Sequence, residues 1–520
     1  MGSEASRRRG GGSIDRDRCS LRPGTFALLL GFYAIAHAAL RVWISPVLNI
    51  DDAREAIFSQ TLAWGYQPRQ PPLYTWLAWA TVRLAGVSVA SLTALKYAVL
   101  AVAYAFLYLT ARRALAEPRL PGLAAFSLLL LLPIGWFVHD DLTQSVAVLA
   151  AAAATVHALI RLEAAPTPGR YAGLGVALAL GTLSKLTYLV FGSALALAAL
   201  TIAPYRRRLL DPRVIVTVLV AVALLLPYGL WLATHQDDLL RFAQQVSPGA
   251  TRSFAAGVLE GLGAVLRTLA YYAAPLALCF LFVFPEVYRA RPAGTRPATP
   301  AGLLVERTLL AGLGLLVGGA LLNVLGQLKF RWAIPLFFLL PLYACVRLDR
   351  LGIDAARRRR LRAYAGLLVL TEALMVLGIV LQIHAGARVG LPARLNTPYD
   401  GVGGAAAAAG FRRGTIVAGP GPLGGNLRLA FPDSRVTSLE APEYLPLLAG
   451  GHEGACLLVW DGASGGAIPD DLGTWMRVRL DVAGPGAPPV ETVTIPYRHS
   501  PGLEYRAFFV HLPEGAGRCR

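Results

Sequence analysis

Apolar residues recur along most of the chain in blocks of roughly 15–25, separated by short polar connectors. At 1.5 Å per residue such a block crosses a hydrocarbon core of ~30 Å as one helix. The pattern predicts spans at about residues 25–44, 91–110, 122–138, 142–160, 214–233, 264–288, 303–326, 331–348 and 363–384. The apolar stretch 171–204 is too long for one crossing and too short for two of full length. Two short spans meeting near Ser184-Lys185 fit it best, which brings the total to about eleven.

Residues 45–90 break the pattern. Asp51, Asp52, Arg54, Glu55 and Gln60 are interleaved with Ala56, Ile57, Phe58 and Leu62, a mixture that suits an amphipathic helix lying at the membrane interface. Gly65 ends it, and Gln70-Pro71-Pro72 opens a second segment, 73–84, rich in Trp and Tyr as expected near headgroups. From 388 to 520 the composition shifts to Gly, Pro and acidic residues. Short apolar runs at 415–418, 435–439 and 456–460, bounded by Gly and Pro, read as strands around a helix near Leu427. The run 405–409 of alanines reads as a linker or helix start. The expected architecture is an α-helical polytopic membrane protein: a tail (1–24), a transmembrane domain (25–387) carrying the loop 45–90, and a small C-terminal α/β domain (388–520).

Composition agrees. Of 520 residues 55% are hydrophobic and 15% charged, against about 25% charged in soluble domains. A soluble enzyme, a disordered chain and a secreted disulfide scaffold are excluded. The net charge of +18 sits in arginine-rich connectors: Arg7 to Arg9, Arg112 and Arg113, Arg206 to Arg208, Arg289 and Arg291, and Arg357 to Arg360. Such clusters mark the cytoplasmic side, so the N-terminus is expected inside and the C-terminal domain outside. No basic stripe with interleaved aromatics suggests nucleic acid. The polar, Arg-rich start leads into a block too long for a signal-peptide core. Cys279 and Cys345 fall in apolar blocks, while Cys456 and Cys519, on the outer side, are candidates for a disulfide.

This topology collects polar residues on the outer face: Asp51-Asp52, His139-Asp140-Asp141, Lys185 at the tip of the short pair, and a loop with His235, Asp237, Asp238, Arg241 and Arg252. Lys96, Lys185 and Lys329 are the chain's three lysines, and all fall on that face with Arg331. Carboxylates facing cations suit group transfer from a lipid-linked phosphate. A carboxylate takes the proton of an attacking hydroxyl, and cations neutralise the departing phosphate. For Asp51-Asp52 the competing explanation is a solvated helix cap. For His139 and His235 it is a hydrogen-bonded interfacial histidine, and for Tyr66, Tyr74 and Trp76 a belt of interfacial aromatics.

Asp51-Asp52, Leu62-Ala63-Trp64-Gly65-Tyr66 and Gln70-Pro71-Pro72-Leu73, in that order, resemble the first outer loop of the GT-C glycosyltransferases that include protein-mannosyltransferase-like and lipid A aminoarabinose transferases. Leu183-Ser184-Lys185 and Lys329-Phe330-Arg331-Trp332 through Pro335 resemble two later motifs of the same family, and Asp141 its second acidic motif. The resemblance implies an inverting transferase that moves a sugar from a polyprenyl-phosphate donor to a cell-envelope acceptor at the periplasmic face of a bacterial inner membrane. Asp51 matches the family's catalytic Asp, and Asp52 stands where the usual residue is Glu. Asp51, Asp52 and Asp141 are the implied catalytic residues. Lys185, Lys329, Arg331, Arg241 and Arg252 would hold the donor phosphate. Asp140, His139, Tyr66 and Lys96 would contact acceptor or sugar. Arg69-Gln70-Pro71 replaces the Glu-Lys-Pro of the aminoarabinose transferases, so their metal-site acid does not carry over; no cofactor and no metal are expected. Implied partners are the lipid-linked donor, a glycolipid or glycan acceptor and membrane lipids. The rival readings are a transporter or lipid flippase, which calls for inverted repeats not visible here, and a scaffold presenting the C-terminal domain.

Overall fold

A computed structural model describes residues 22–236, 253–289, 296–390, 393–439, 444, 455–462, 467–470, 472–474 and 489–513. Among these residues, seven helices are long and apolar enough to cross a membrane, or nine if each of two bent pairs forms one span. They include α1 (Pro23–Ile44), α4 (Val89–Ala114), α7 (Thr143–Ala164) and α11 (Val214–Ala233). The later three are α12 (Phe254–Val283), α13 (Pro300–Leu321) and the long helix α16, whose α-helical part is Ala355–Ala385. Pro at the first turn opens α1 and α13, where the missing N–H has no helical partner to lose. A Ser88–Ser91 capping box opens α4.

Four of the eleven expected spans are not straight helices of full length. The third is α5 (Leu120–Phe126), a 3-10 turn Ser127–Leu130, a π turn Pro133–Phe137 and a last turn α6 (Val138–Asp140), with a 76° bend. Pro133 lacks the N–H that would continue the ladder. The stretch 171–204 does form two short helices, α8 (Pro168–Ser184) and α9 (Tyr188–Leu200), meeting at Lys185. Helix α9 then turns through 115° into α10 (Ala203–Leu209). The tenth expected span breaks into Phe330–Trp332, α14 (Ile334–Phe337) and α15 (Leu340–Arg350). These breaks bring Asp141, Lys185 and Arg331 to ends of elements rather than to helix sides.

The C-terminal domain is a mixed five-stranded sheet in the order β2-β1-β3-β5-β4, formed by β1 (Gly414–Ala418), β2 (Arg435–Ser438), β3 (Ala455–Asp461), β4 (Glu491–Tyr497) and β5 (Ser500–Leu512). Strand β1 pairs parallel with β2 and β3, while β5 pairs antiparallel with β3 and β4. Helices α17 (Tyr399–Ala408) and α18 (Gly421–Ala430) complete it. Cys456 on β3 is disulfide-bonded, Cys279 and Cys345 are free, and Cys519 lies outside the described residues.

The polar segment after α1 forms α2 (Ile50–Phe58) and, after the Pro-Pro turn, α3 (Leu73–Ala85). The expectation that α2 lies on lipid is overturned. Its Ile57 and Phe58 pack with Tyr66 into the core of the C-terminal domain, against Leu423, Leu427 and Tyr444. Its Ala53 and Ala56 pack with Leu48, Ala78, Val89 and Leu92, a cluster that Leu429 of the C-terminal domain also joins. The helix is a wedge between two proteinaceous surfaces.

Candidate active site

The N-terminus of α2 is where the acids meet. Asn49 caps the helix, its Oδ1 accepting the Ile50 N–H at 2.9 Å, a cap worth about 1 kcal/mol. Its Nδ2 donates to the Asp140 carbonyl at 3.0 Å and to Asp140 Oδ1 at 3.1 Å. One residue on, the Asp51 N–H donates to Asp141 Oδ1 at 2.9 Å. The broken third span thus ends by delivering two carboxylates to the positive end of α2. Leu142, directly after them, holds φ at 70°, a left-handed conformation unusual for a residue with a Cβ. Burial, then the neighbouring Asp51 and Asp52, hold the Asp141 carboxyl well above the usual range.

The two residues of the acidic pair have different surroundings. Asp51 is partly exposed and accepts a bond from Arg54 at 3.1 Å. Asp52 points the other way, 2% exposed, with Lys96 Nζ at 3.6 Å from its Oδ2. Lys96 is 0% exposed, so it is the buried counter-ion of Asp52 rather than the ligand contact expected from sequence. Asp52 is accordingly held as a buried counter-ion, and Asp51 is the more exposed member of the pair. Replacing Lys96 with Ala would strand a buried charge, and a loss of about 3–5 kcal/mol in unfolding free energy is expected. Denaturant titration of Lys96→Ala checks this, with the Lys96→Ala/Asp52→Asn double variant recovering part of the loss.

Sequence reasoning counted Glu55 only toward the polarity of its segment. The structure buries it, its Oε2 accepting from Thr75 Oγ1 at 2.7 Å. Burial raises its carboxyl from 4.5 to about 7 against the pull of Thr75 and Arg54. The helical spacing of Asp52, Glu55, Ala56 and Ser59 is the signal that places Glu55 on the inward face. Because the folded state holds this proton where the unfolded chain has lost it, its stabilising share is complete below pH 4.5 and is lost as pH rises to about 7. Glu55→Gln should therefore gain on the wild type across that window, by an amount on the order of 3 kcal/mol, and the gap should flatten above it. Melting temperatures of both proteins from pH 4.5 to 8 read this directly; a gap independent of pH would reject it.

Arg41, near the end of α1, is a second group that sequence reasoning left unused. It is buried, donates to the Ser45 and Val47 carbonyls, and lies within electrostatic reach of Asp52, Asp140 and Asp141. Tyr74 is buried among Asp52, Glu55, Asp51 and Asp141.

The cations that meet no carboxylate lie across the site. Lys185 Nζ donates to Ser145 Oγ at 2.9 Å and to the Arg331 carbonyl at 3.3 Å. It is within electrostatic reach of Arg331 and of Asp51. Lys329 is exposed, its ammonium 5.8 Å from the Trp332 ring. Among the described residues none of Lys185, Lys329 and Arg331 has an ion-pair partner, which leaves their charge available to an anion.

Two expected ligand contacts turn inward instead. His139 is buried between Tyr33 and Tyr97, whose hydroxyls meet its Nε2 at 2.9 Å and Nδ1 at 3.0 Å, and its ring stacks on His37. Both nitrogens are engaged, as the hydrogen-bonded reading requires. Tyr66 is 2% exposed, donates to the Thr61 carbonyl and stacks on Phe58, so it belongs to the core under the C-terminal domain. Trp76 donates its indole N–H to the Ala63 carbonyl. His235 stacks on Trp231; Asp237, Asp238, Arg241 and Arg252 lie outside the described residues. Among the described residues no group of three or more His, Cys, Asp or Glu is disposed to hold a metal.

Comparison with known proteins bears on this geometry. A family model described as dolichyl-phosphate-mannose-protein mannosyltransferase matches residues 69–231. The chain is 31% identical over 497 residues to the lipopolysaccharide core galacturonosyltransferase RgtB of Rhizobium johnstonii, covering 92% of this chain and 94% of that one. It is 27% identical over 492 residues to RgtA of the same organism, covering 91% and 94%. Among solved structures, apo ArnT of Cupriavidus metallidurans superposes with a TM-score of 0.59 at 13% identity, over 94% of this chain and 98% of that one. The same enzyme bound to undecaprenyl phosphate gives 0.54 at 14% identity, with the same coverage. At these identities the ArnT structures speak for the fold.

Proposed function

The chain belongs to the GT-C family of polytopic membrane glycosyltransferases, and from that premise we propose that it moves galacturonic acid from a polyprenyl-phosphate donor to the lipopolysaccharide core. The glycosyltransferase assignment removes the transporter, flippase and scaffold readings. The names of the RgtA and RgtB relatives support the sugar and the acceptor, and the undecaprenyl phosphate held by ArnT supports the donor.

The observation that carries the reaction is a partly exposed carboxylate facing cations that have no ion-pair partner among the described residues: Asp51 on one side, Lys185 and Arg331 on the other. In this reading Asp51 accepts the proton of the acceptor hydroxyl as its oxygen attacks the anomeric carbon. The bond from that carbon to the phosphate oxygen breaks, and the polyprenyl phosphate leaves with the electron pair. Lys185 and Arg331, with Lys329 at the rim, take up the charge that develops on it. Asp141 holds the Asp51 peptide, and Asp140 holds Asn49, so both act through α2. One displacement inverts the anomeric centre.

In this reading the C-terminal domain and the site face the periplasm of a bacterial inner membrane. The arginine-rich connectors, which favour the cytoplasmic side, support it, as does the disulfide-bonded Cys456, which suits an oxidising compartment. The test is transfer by purified protein from synthetic polyprenyl-phosphate galacturonic acid to lipopolysaccharide core, read as a mass gain of one hexuronic acid residue. Consumption of a neutral or amino-sugar donor alone would overturn the sugar assignment.

A further inference from the structure

One side chain of the C-terminal domain bonds to the backbone just before the acid cluster. Asn426, on α18 and 3% exposed, makes two bonds to the backbone of one residue. Its Oδ1 accepts the Leu48 N–H at 2.7 Å, and its Nδ2 donates to the Leu48 carbonyl at 3.1 Å. A third bond, from Nδ2 to the Pro422 carbonyl at 2.8 Å, orients the amide from within its own helix. Two bonds to both ends of one residue fix its place and its rotation together, as a β-bridge does.

Leu48 immediately precedes Asn49, the cap that holds Asp140, and the following turn carries Asp51 with its N–H on Asp141. The approach is close because Gly425 has no side chain: a Cβ there would stand 2.2 Å from the Ala53 carbonyl oxygen. The C-terminal domain therefore grips the backbone of α2 at the turn that presents the reachable carboxylate.

We propose that Asn426 is a positioning residue for sugar transfer: by fixing Leu48 it sets the start of α2 and the aim of the Asp51 carboxylate. The catalytic part of this claim rests on the assignment of Asp51 as base; the coupling to α2 does not. Misplacing a reacting group by about 1 Å from a remote site costs on the order of 10²-fold in rate.

Simple docking of the domain predicts something else. Gln60, just past the far end of α2, makes an equal pair of bonds between the same two bodies, donating to the Val436 carbonyl at 2.7 Å and accepting the Val436 N–H at 2.8 Å. If the domain merely sits on α2, losing either pair has the same effect. If Asn426 aims Asp51, the two differ.

The experiment compares full-length wild type, Asn426→Ala, Asn426→Asp and Gln60→Ala in lipid nanodiscs, by hydrogen exchange of α2 amides and by transfer kinetics. The Asn426 variants should speed exchange at residues 49–53 about tenfold or more. They should lower kcat by about 10–100-fold while the donor KM stays within about threefold. Gln60→Ala should speed exchange near its own end of α2 and leave kcat within about twofold. Equal kcat losses in Asn426→Ala and Gln60→Ala, or unchanged exchange at 49–53 in the Asn426 variants, would overturn the proposal. Asn426→Asp keeps an acceptor for the Leu48 N–H and sets an oxygen in place of the donor to the Leu48 and Pro422 carbonyls, so it tests the same grip if Asn426→Ala does not fold. Failure of the wild type to transfer sugar counts against the assigned reaction, and the exchange result then decides the positioning by itself.

Discussion

Asp51→Asn should lower the rate of sugar transfer by about 10³-fold, within the ~10²–10⁴ a positioned general base contributes. The substitution keeps size and shape, and among the described residues the side chain it alters bonds to Arg54, at 3.1 Å on the next turn. The bond that anchors this residue, from its N–H to Asp141, belongs to the backbone and survives. Expression and melting temperature should therefore be those of the wild type, and donor binding should change little. Turnover above about a tenth of wild type would remove Asp51 from its role, since amide nitrogen and oxygen take no proton at neutral pH.

Lys185→Ala is the second large effect, an expected loss of about 10²–10³ in kcat/KM, the scale seen when one preorganised stabiliser of developing charge is removed. Lys185 is held by Ser145 and by the Arg331 carbonyl, which fixes its ammonium across from Asp51. Arginine is a poor substitute, because a planar fork does not fit a seat made for a compact point charge. Steady-state kinetics with varied donor concentration distinguish the outcomes. A loss confined to acceptor KM would move Lys185 away from the phosphate.

The helical membrane class, the C-terminal α/β domain and the two short helices meeting at Lys185 were legible in the sequence, because each rests on the length and spacing of apolar runs. The bends were not. The expected span 122–138 carried no break, and although Pro133 lies where it bends, nothing local tells a kinked helix from the 3-10 and π turns that aim Asp140 and Asp141. The proximity of Asp51 to Asp141 was anticipated, as was the gathering of Lys185 with Arg331. Lys96 and Tyr66 were misplaced for one reason: their burial depends on what α2 and the C-terminal domain cover, which is a long-range property. The amphipathic mixture of 51–62 suits a helix on lipid as well as one on protein, since an apolar face looks the same whichever meets it. Asn426 was invisible for the same reason.

Glycine at 425 and alanine at 53 have a consequence for descent as well as for geometry. Backbones in such close apposition leave no slack for one partner to drift alone, so a bulkier residue on either surface requires an answering change on the other. The acid-bearing wedge and the lobe packed on it are thus bound to change together, and exchanging one without the other would leave Ile57, Phe58 and Tyr66 without the core they fill.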